Sequence, residues 1–205
     1  MGTADIEFKR RDAEIVEFLA HLKSIEAQTG LPPSLINTMK ASAVLMLYNQ
    51  VESTMTNVLQ EVFDHLEVNG VDFTGLSDNM KKVVLTYAKG HNPDTLVGKM
   101  SGLTRSLVAA CFDRSKLFSG NVDSKRIKDT MSDYGVVIGR KKYTEAALLR
   151  IKTERNNLAH GHVSFADSGK SFSVNDIQDL HSKTSKVLNH CLTDFSSFLT
   201  SKGYV

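Results

Sequence analysis

Between residues 35 and 67, Val44, Leu47, Tyr48, Val51, Met55, Val58, Leu59, Val62 and Leu66 fall on one narrow stripe when successive residues are turned by about 100°. A stripe that narrow and that long is the mark of a buried helix face. The chain's three prolines, Pro32, Pro33 and Pro93, leave the pattern uninterrupted, and Asn69-Gly70 closes it. The spacing therefore predicts one long helix over about 35–67, around which everything else must pack.

The same periodicity predicts a first helix over about 4–28, from Phe8, Ile15, Phe18, Leu19, Leu22 and Ile25, ended by Gly30-Leu31-Pro32-Pro33. Two more helices are expected near the C-terminus. One covers about 144–160; the last covers about 174–202, with Ser173 and Asp176 spaced as an N-terminal cap. The middle, about 70–142, is less regular. Short helices are expected over 78–89 and 95–112, and "FSGNVDSKRIKDTMSDYGV" reads as a loop, a short helix and a stop at Gly135. Between the last two long helices, "HVSFADSGKSFSV" has two short alternating runs about Asp167-Ser168-Gly169, which predicts a turn or small hairpin. The expected fold class is all-α: a helical bundle with two long core helices, an irregular middle insertion and a long C-terminal helix, forming one domain over 1–205.

Composition narrows the function. With 205 residues and 41% apolar content the chain can bury a sizeable core. No apolar run approaches the roughly 18 residues needed to span a bilayer, and the N-terminus lacks signal-peptide order, so no membrane partner is expected. Ile6 also breaks the myristoylation pattern. Cys111 and Cys191 stand far apart without a CxxC, which speaks against a disulfide framework or structural zinc and for a reducing cytosol. A net charge of +2 leaves no general basic coat, so any nucleic-acid contact must be local. Lys9-Arg10-Arg11, Lys81-Lys82, Lys125-Arg126 and Arg140-Lys141-Lys142 are the available clusters, each first read as a solvated face or turn.

Several motifs carry no chemistry. "GVVIG" is too short to cradle phosphate and lacks GxGxxG or GxxxxGK[ST]. The HxH of His160 and His162 has no supporting set of acidic or histidine ligands and HExxH is absent, so neither a metal nor another cofactor is expected. His181 falls among Ile177, Thr184 and Leu188 and reads as a satisfied core histidine. Met39, Met46, Met55, Met80 and Met100 read as helix-core residues.

One residue breaks the pattern. On the 144–160 helix, Ala147, Leu148, Ile151, Leu158 and Ala159 share a stripe, and Arg155 falls in its middle. A guanidinium aimed inward costs several kcal/mol unless it meets a carboxylate, carbonyls, an anionic ligand or another subunit. Glu52, at the edge of the long stripe, is the natural intramolecular partner. His160 follows on the last turn, roughly 140° round the helix and about 7.5 Å along it from Arg155. Gly161 is placed to stop the helix there, and Asn156, four residues before His160, could orient its ring. His162 would lie within about 20° of Arg155 if the helix continued. An arginine fork can hold a phosphate and the charge that grows on it, and an imidazole can move a proton near neutral pH. With the 2′-hydroxyl of RNA as nucleophile, that pair could cleave a phosphodiester without a metal.

The stretch "RNNLAHG" resembles the R-x4-6-H motif of the HEPN superfamily, especially its stand-alone prokaryotic members associated with defence loci. "LMLYNQVES", Leu45 to Ser53, and "SGNVDSKRIKDTMSDYG", Ser119 to Gly135, resemble that group as well, so the similarity covers most of the chain. The resemblance implies a metal-independent endoribonuclease, a toxin or antiviral effector acting on RNA as a homodimer. A cognate antitoxin or another defence-system protein would be a further partner. It implies Arg155 and His160 as catalytic residues, with Asn156 matching the polar residue that follows the motif arginine. His162 also satisfies the spacing; the order RNxxAHG favours His160. Two other readings compete: a non-catalytic nucleotide-binding or dimerisation module, and a DNA-directed effector or regulatory subunit of a defence complex.

Overall fold

A computed structural model describes residues 2–28, 30–100, 107–118, 120–138 and 145–205. Among these residues the regular structure is entirely helical: α1 (Thr3–Glu26), α2 (Pro33–Val68), α3 (Asp78–Lys89), α4 (Pro93–Met100), α5 (Leu107–Cys111), α6 (Ser124–Asp133), α7 (Glu145–Ala159), α8 (Phe165–Gly169) and α9 (Val174–Thr200). Helix α2 is the spine. It begins two residues earlier than its apolar stripe predicts because Pro33 occupies the first turn, where a missing N–H costs nothing. It ends as expected: Gly70 has φ +62°, and the amides of Gly70 and Val71 return to the carbonyls of Glu67 and Leu66.

Three pairings show that α1 runs antiparallel to α2. Ala4 N–H donates to Glu61 at 2.9 Å, Gln50 Nε2 donates to Asp12 at 2.8 Å, and Lys40 pairs with Glu26 at 2.5 Å. The two halves of α2 face different cores. Val44, Leu47 and Tyr48 pack with Ile15 and Leu22 of α1, Ile151 of α7 and Ile177 of α9. Met55, Leu59, Val62 and Leu66 pack with α3, α5, α6 and the C-terminal half of α9. Each fully buried Leu, Met or Val in these sets contributes roughly 1.5–3 kcal/mol relative to exposure, so α2 cannot be removed from either core without unfolding both.

The three longest helices are also tied by a polar knot. Asp12 Oδ1 of α1 accepts from Gln50 of α2 and from Ser185 of α9, and lies 2.8 Å from His181 Nε2 of α9. His181 is thus a satisfied inner histidine. Burial alone would raise the Asp12 carboxyl, but hydrogen bonds from Ser185, Gln50 and His181 and the nearby His181 charge bring it below its ordinary value.

Helix α9 starts where the sequence places it, with a reciprocal cap between Ser173 and Asp176. The expected turn or hairpin before it is instead the short helix α8. Ser164 caps it by accepting from Asp167 N–H at 3.1 Å, and this local polar exchange outweighs a few residues of alternation. Two apolar side chains of that alternation are buried in the core, Phe172 in the connector and Val174 in the first turn of α9. Helix α8 lies against the start of α2, where a Cβ on Gly169 would fall 1.8 Å from the Asn37 carbonyl oxygen. Other expectations shift in detail. The 95–112 segment contains α4 and α5, with 101–106 outside the described residues, as are Arg140, Lys141 and Lys142. Met100 is 42% exposed and Ala159 is also exposed, so neither is a core residue. Cys111 and Cys191 are buried free thiols. Among the described residues, no helix is long and apolar enough to cross a membrane.

Candidate functional site

Helix α7 presents Ala147, Leu148, Ile151 and Leu158 to the core, and Arg155 on the same side is half-buried. Its guanidinium enters a junction of three segments: α7 itself, α2, and the loop before α6. The Arg155 Cζ lies 5.0 Å from the centroid of the Tyr48 ring, within the range of a cation–π contact. Its Nη1 donates to Asn156 Oδ1 at 2.9 Å. On the third side is Gly120, where an added Cβ would fall 2.2 Å from Arg155 Nη2. Gly120 also has φ +76°, so the position favours glycine by backbone as well as by space.

Glu52 belongs to this junction without forming a direct ion pair with Arg155. Its Oε1 accepts the Gly120 N–H at 2.9 Å, so carboxylate and guanidinium hold the same loop residue from two sides. Two further contacts fix the loop. Val122 N–H donates to Tyr48 Oη at 3.2 Å, and Lys152 of α7 pairs with Asp123, the α6 cap, at 2.7 Å. Burial would raise the Asp123 carboxyl, but the Lys152 hydrogen bond and charge and the amides of Arg126 and Lys125 lower it. Burial pushes the Tyr48 phenol up; Val122 and Arg155 oppose the shift and the Glu52 carboxylate adds to it, so Tyr48 stays a neutral hydroxyl.

At the end of α7 the chain turns at Gly161, with φ +68°. Gly161 N–H returns to the Leu158 carbonyl at 3.2 Å and His162 N–H to the Asn157 carbonyl at 2.9 Å, the paired bonds of a Schellman stop. His160 and His162 are therefore both exposed at one helix end, their rings 5.6 Å apart and inclined by 31°. The structure brings the two histidines together. It does not bring either into contact with Arg155 within one chain. Asn156 serves Arg155 through its side-chain oxygen and receives the His160 N–H only on its backbone carbonyl, at 3.0 Å.

The sequence singled out Arg155, Glu52, Asn156, His160 and His162. It missed Tyr48 and Gly120, which complete the arginine's surroundings. Tyr48 stands one helical turn before Glu52 on α2, and that spacing was an available signal. Among the described residues, no group of three or more His, Cys, Asp and Glu side chains is arranged to hold a metal ion.

Residues 4–204 match the family model described as HEPN_MAE_28990-like HEPN. The chain belongs to this HEPN family. The match runs from the first turn of α1 to the closing turn after α9, so the Arg155 junction and the histidine pair both lie inside the HEPN region. No curated protein and no solved structure matches the chain. The all-α architecture expected from the HEPN resemblance is the one observed.

Proposed function

We propose that this HEPN protein is a metal-independent endoribonuclease acting as a toxin or antiviral effector, with a site composed from two chains. Family membership supports the coarser part of that reading, a nuclease or RNA-binding module. The observation that carries the rest is an interior arginine that, among the described residues, has no carboxylate bound to it directly, next to a glycine-stopped helix end bearing two exposed imidazoles. In the reaction the RNA 2′-hydroxyl attacks the adjacent phosphorus while one imidazole removes its proton. The bond from phosphorus to the 5′-oxygen breaks, and a second imidazole returns a proton to that oxygen. Arg155 neutralises charge on the phosphoryl oxygens. The products are a 2′,3′-cyclic phosphate and a 5′-hydroxyl.

Asn156 and Glu52 act through Arg155 in this scheme, the first by a direct hydrogen bond and the second by holding Gly120. His160 is the preferred base and His162 its alternative. The test is cleavage of single-stranded RNA in EDTA by the wild type, Arg155→Ala, His160→Ala and His162→Ala. Activity should survive the chelator, and the rate should fall by roughly 10²-fold or more for the histidine that moves the proton. Activity lost in EDTA and restored by Mg2+ would overturn the mechanism; loss in His162→Ala alone would reassign the base.

The separation of Arg155 from the imidazoles within one chain favours a second reading, a non-catalytic RNA-binding or dimerisation module. Binding of the same RNA with no cleavage products, under any pairing of subunits, would establish it. A gene for an antitoxin beside this one would support a toxin role, and restriction or phage-defence neighbours an immune one.

A further inference from the structure

Beside the Arg155 junction lies an open groove of about 290 Å3, lined by Arg11, Asn49, Glu52, Ser53, Thr56 and Arg114. Arg11, on α1, is half-buried, and its Nε is shielded from solvent without a hydrogen-bond partner among the described residues. A buried donor left unmet is a standing cost, which an anion in the groove removes only by drawing the Arg11 Nε toward it. Of the carboxylates around this face, Glu7 pairs with Arg10 at 2.7 Å, while Glu61, Asp64 and Glu52 keep their charge and accept from neutral donors, the Ala4 amide at 2.9 Å, Gln60 at 2.7 Å and the Gly120 amide at 2.9 Å; among the described residues, none of the four is bound to Arg11. Arg114, from the turn after α5, donates to Asn57 Oδ1 at 2.6 Å and brings a second guanidinium to the same groove.

We propose that this groove binds a ribose phosphate of the RNA backbone beside the Arg155 junction, an inference that rests on the chain being an RNA-binding protein. Arg11 and Arg114 hold the phosphate by charge-assisted hydrogen bonds. Asn49, Ser53 and Thr56 add neutral polar groups. Glu52 disfavours a free phosphate dianion but accepts a hydrogen bond from a ribose hydroxyl, so the groove fits a backbone unit better than the inorganic ion. Because Glu52 also holds Gly120 against Arg155, occupation of the groove is mechanically joined to the proposed catalytic junction.

The test measures binding of a short fluorescein-labelled single-stranded RNA to the full chain carrying His160→Ala and His162→Ala, which separates binding from turnover. Adding Arg11→Ala and Arg114→Ala together should weaken binding about tenfold or more. The slope of log affinity against log salt should become shallower by about 0.7 for each phosphate no longer held. Lysine at both positions should restore part of the affinity and most of the slope. Inorganic phosphate should compete far less well than the RNA. Unchanged affinity and slope in a double variant with an intact helical circular-dichroism spectrum would overturn the proposal. Arg114 is exposed, so Arg114→Ala alone keeps the question answerable if Arg11→Ala fails to fold: equal RNA affinity in that variant overturns it too. An acidic peptide that outcompetes RNA would assign the groove to a protein partner instead. If wild type binds RNA through these arginines but cleaves none, the nuclease function falls and the groove stands; if it cleaves RNA while the arginine variants bind normally, only the groove falls.

Discussion

Gly120 is the residue on which the Arg155 environment turns. It has a positive φ, its amide is held by Glu52, and its bare Cα makes room for the guanidinium. Gly120→Ala imposes two penalties at once. The left-handed backbone disfavours a Cβ by roughly 1–2 kcal/mol, and the methyl group displaces the Arg155 guanidinium from the loop. The expected outcome is a loss of stability of about that size by urea unfolding, with RNA cleavage reduced further than the fraction unfolded explains. A stability loss alone, with cleavage per folded molecule unchanged, would show that the seat of Arg155 against Gly120 is not used in catalysis. Arg155 itself was legible in sequence because a charge on an apolar stripe is conspicuous. Its surroundings were less so: Tyr48 reads as one more apolar position on the long stripe, and Gly120 belongs to a loop whose partners lie on other segments. Glu52 was expected as the direct partner of Arg155, but periodicity cannot say that its carboxylate accepts the Gly120 amide instead.

At the scale of elements, long periodic helices were readable and short connectors were not. Helices α1, α2, α7 and α9 follow their stripes to within a few residues, since many coherent apolar positions outvote local ambiguity. Helix α8 has only five residues, and its cap at Ser164 competed with a brief alternation that came from burying Phe172 and Val174. The knot at Asp12, joining α1, α2 and α9, was equally hidden because its members are far apart in the chain. That knot predicts an acid response. The folded Asp12 carboxyl is held below its unfolded value, as is that of Asp123, which ties the α6 cap to α7. Groups shifted this way contribute stability above the unfolded pKa, about 3.9, and lose it as pH falls through the lower folded value. Thermal midpoints should therefore drop from about pH 5 downward. Asp12→Asn should lower the midpoint at neutral pH and flatten the acid slope; a slope equal to wild type would remove Asp12 from the acid response.

For the whole molecule, the decisive geometry is the distance between roles. One chain turns Arg155 into the junction with α2 while His160 and His162 stand exposed beyond it at the Gly161 stop, and among the described residues no contact links them. In the proposed composite site a second copy would supply what one chain lacks. A two-fold axis near the ends of α7 would place the histidines of each subunit against the arginine region of the other, giving two arginines and paired imidazoles around one scissile phosphate. Such a cleft would concentrate positive charge in a chain whose net charge is only +2. Mixing wild type with an excess of His160→Ala/His162→Ala subunits, under conditions that exchange partners, should then suppress cleavage below the level expected from dilution. Mixing Arg155→Ala with His160→Ala/His162→Ala subunits should recover activity if each dimer holds a site with one intact arginine and the other chain's histidines. A fully active monomer in light scattering, or activity that follows the wild-type concentration alone, would require one chain to carry the reaction. In that case His160 or His162 would have to swing over Arg155: for His162 the turn at Gly161 is where the backbone can change course, whereas His160, which precedes Gly161, would require the last turn of α7 itself to unwind.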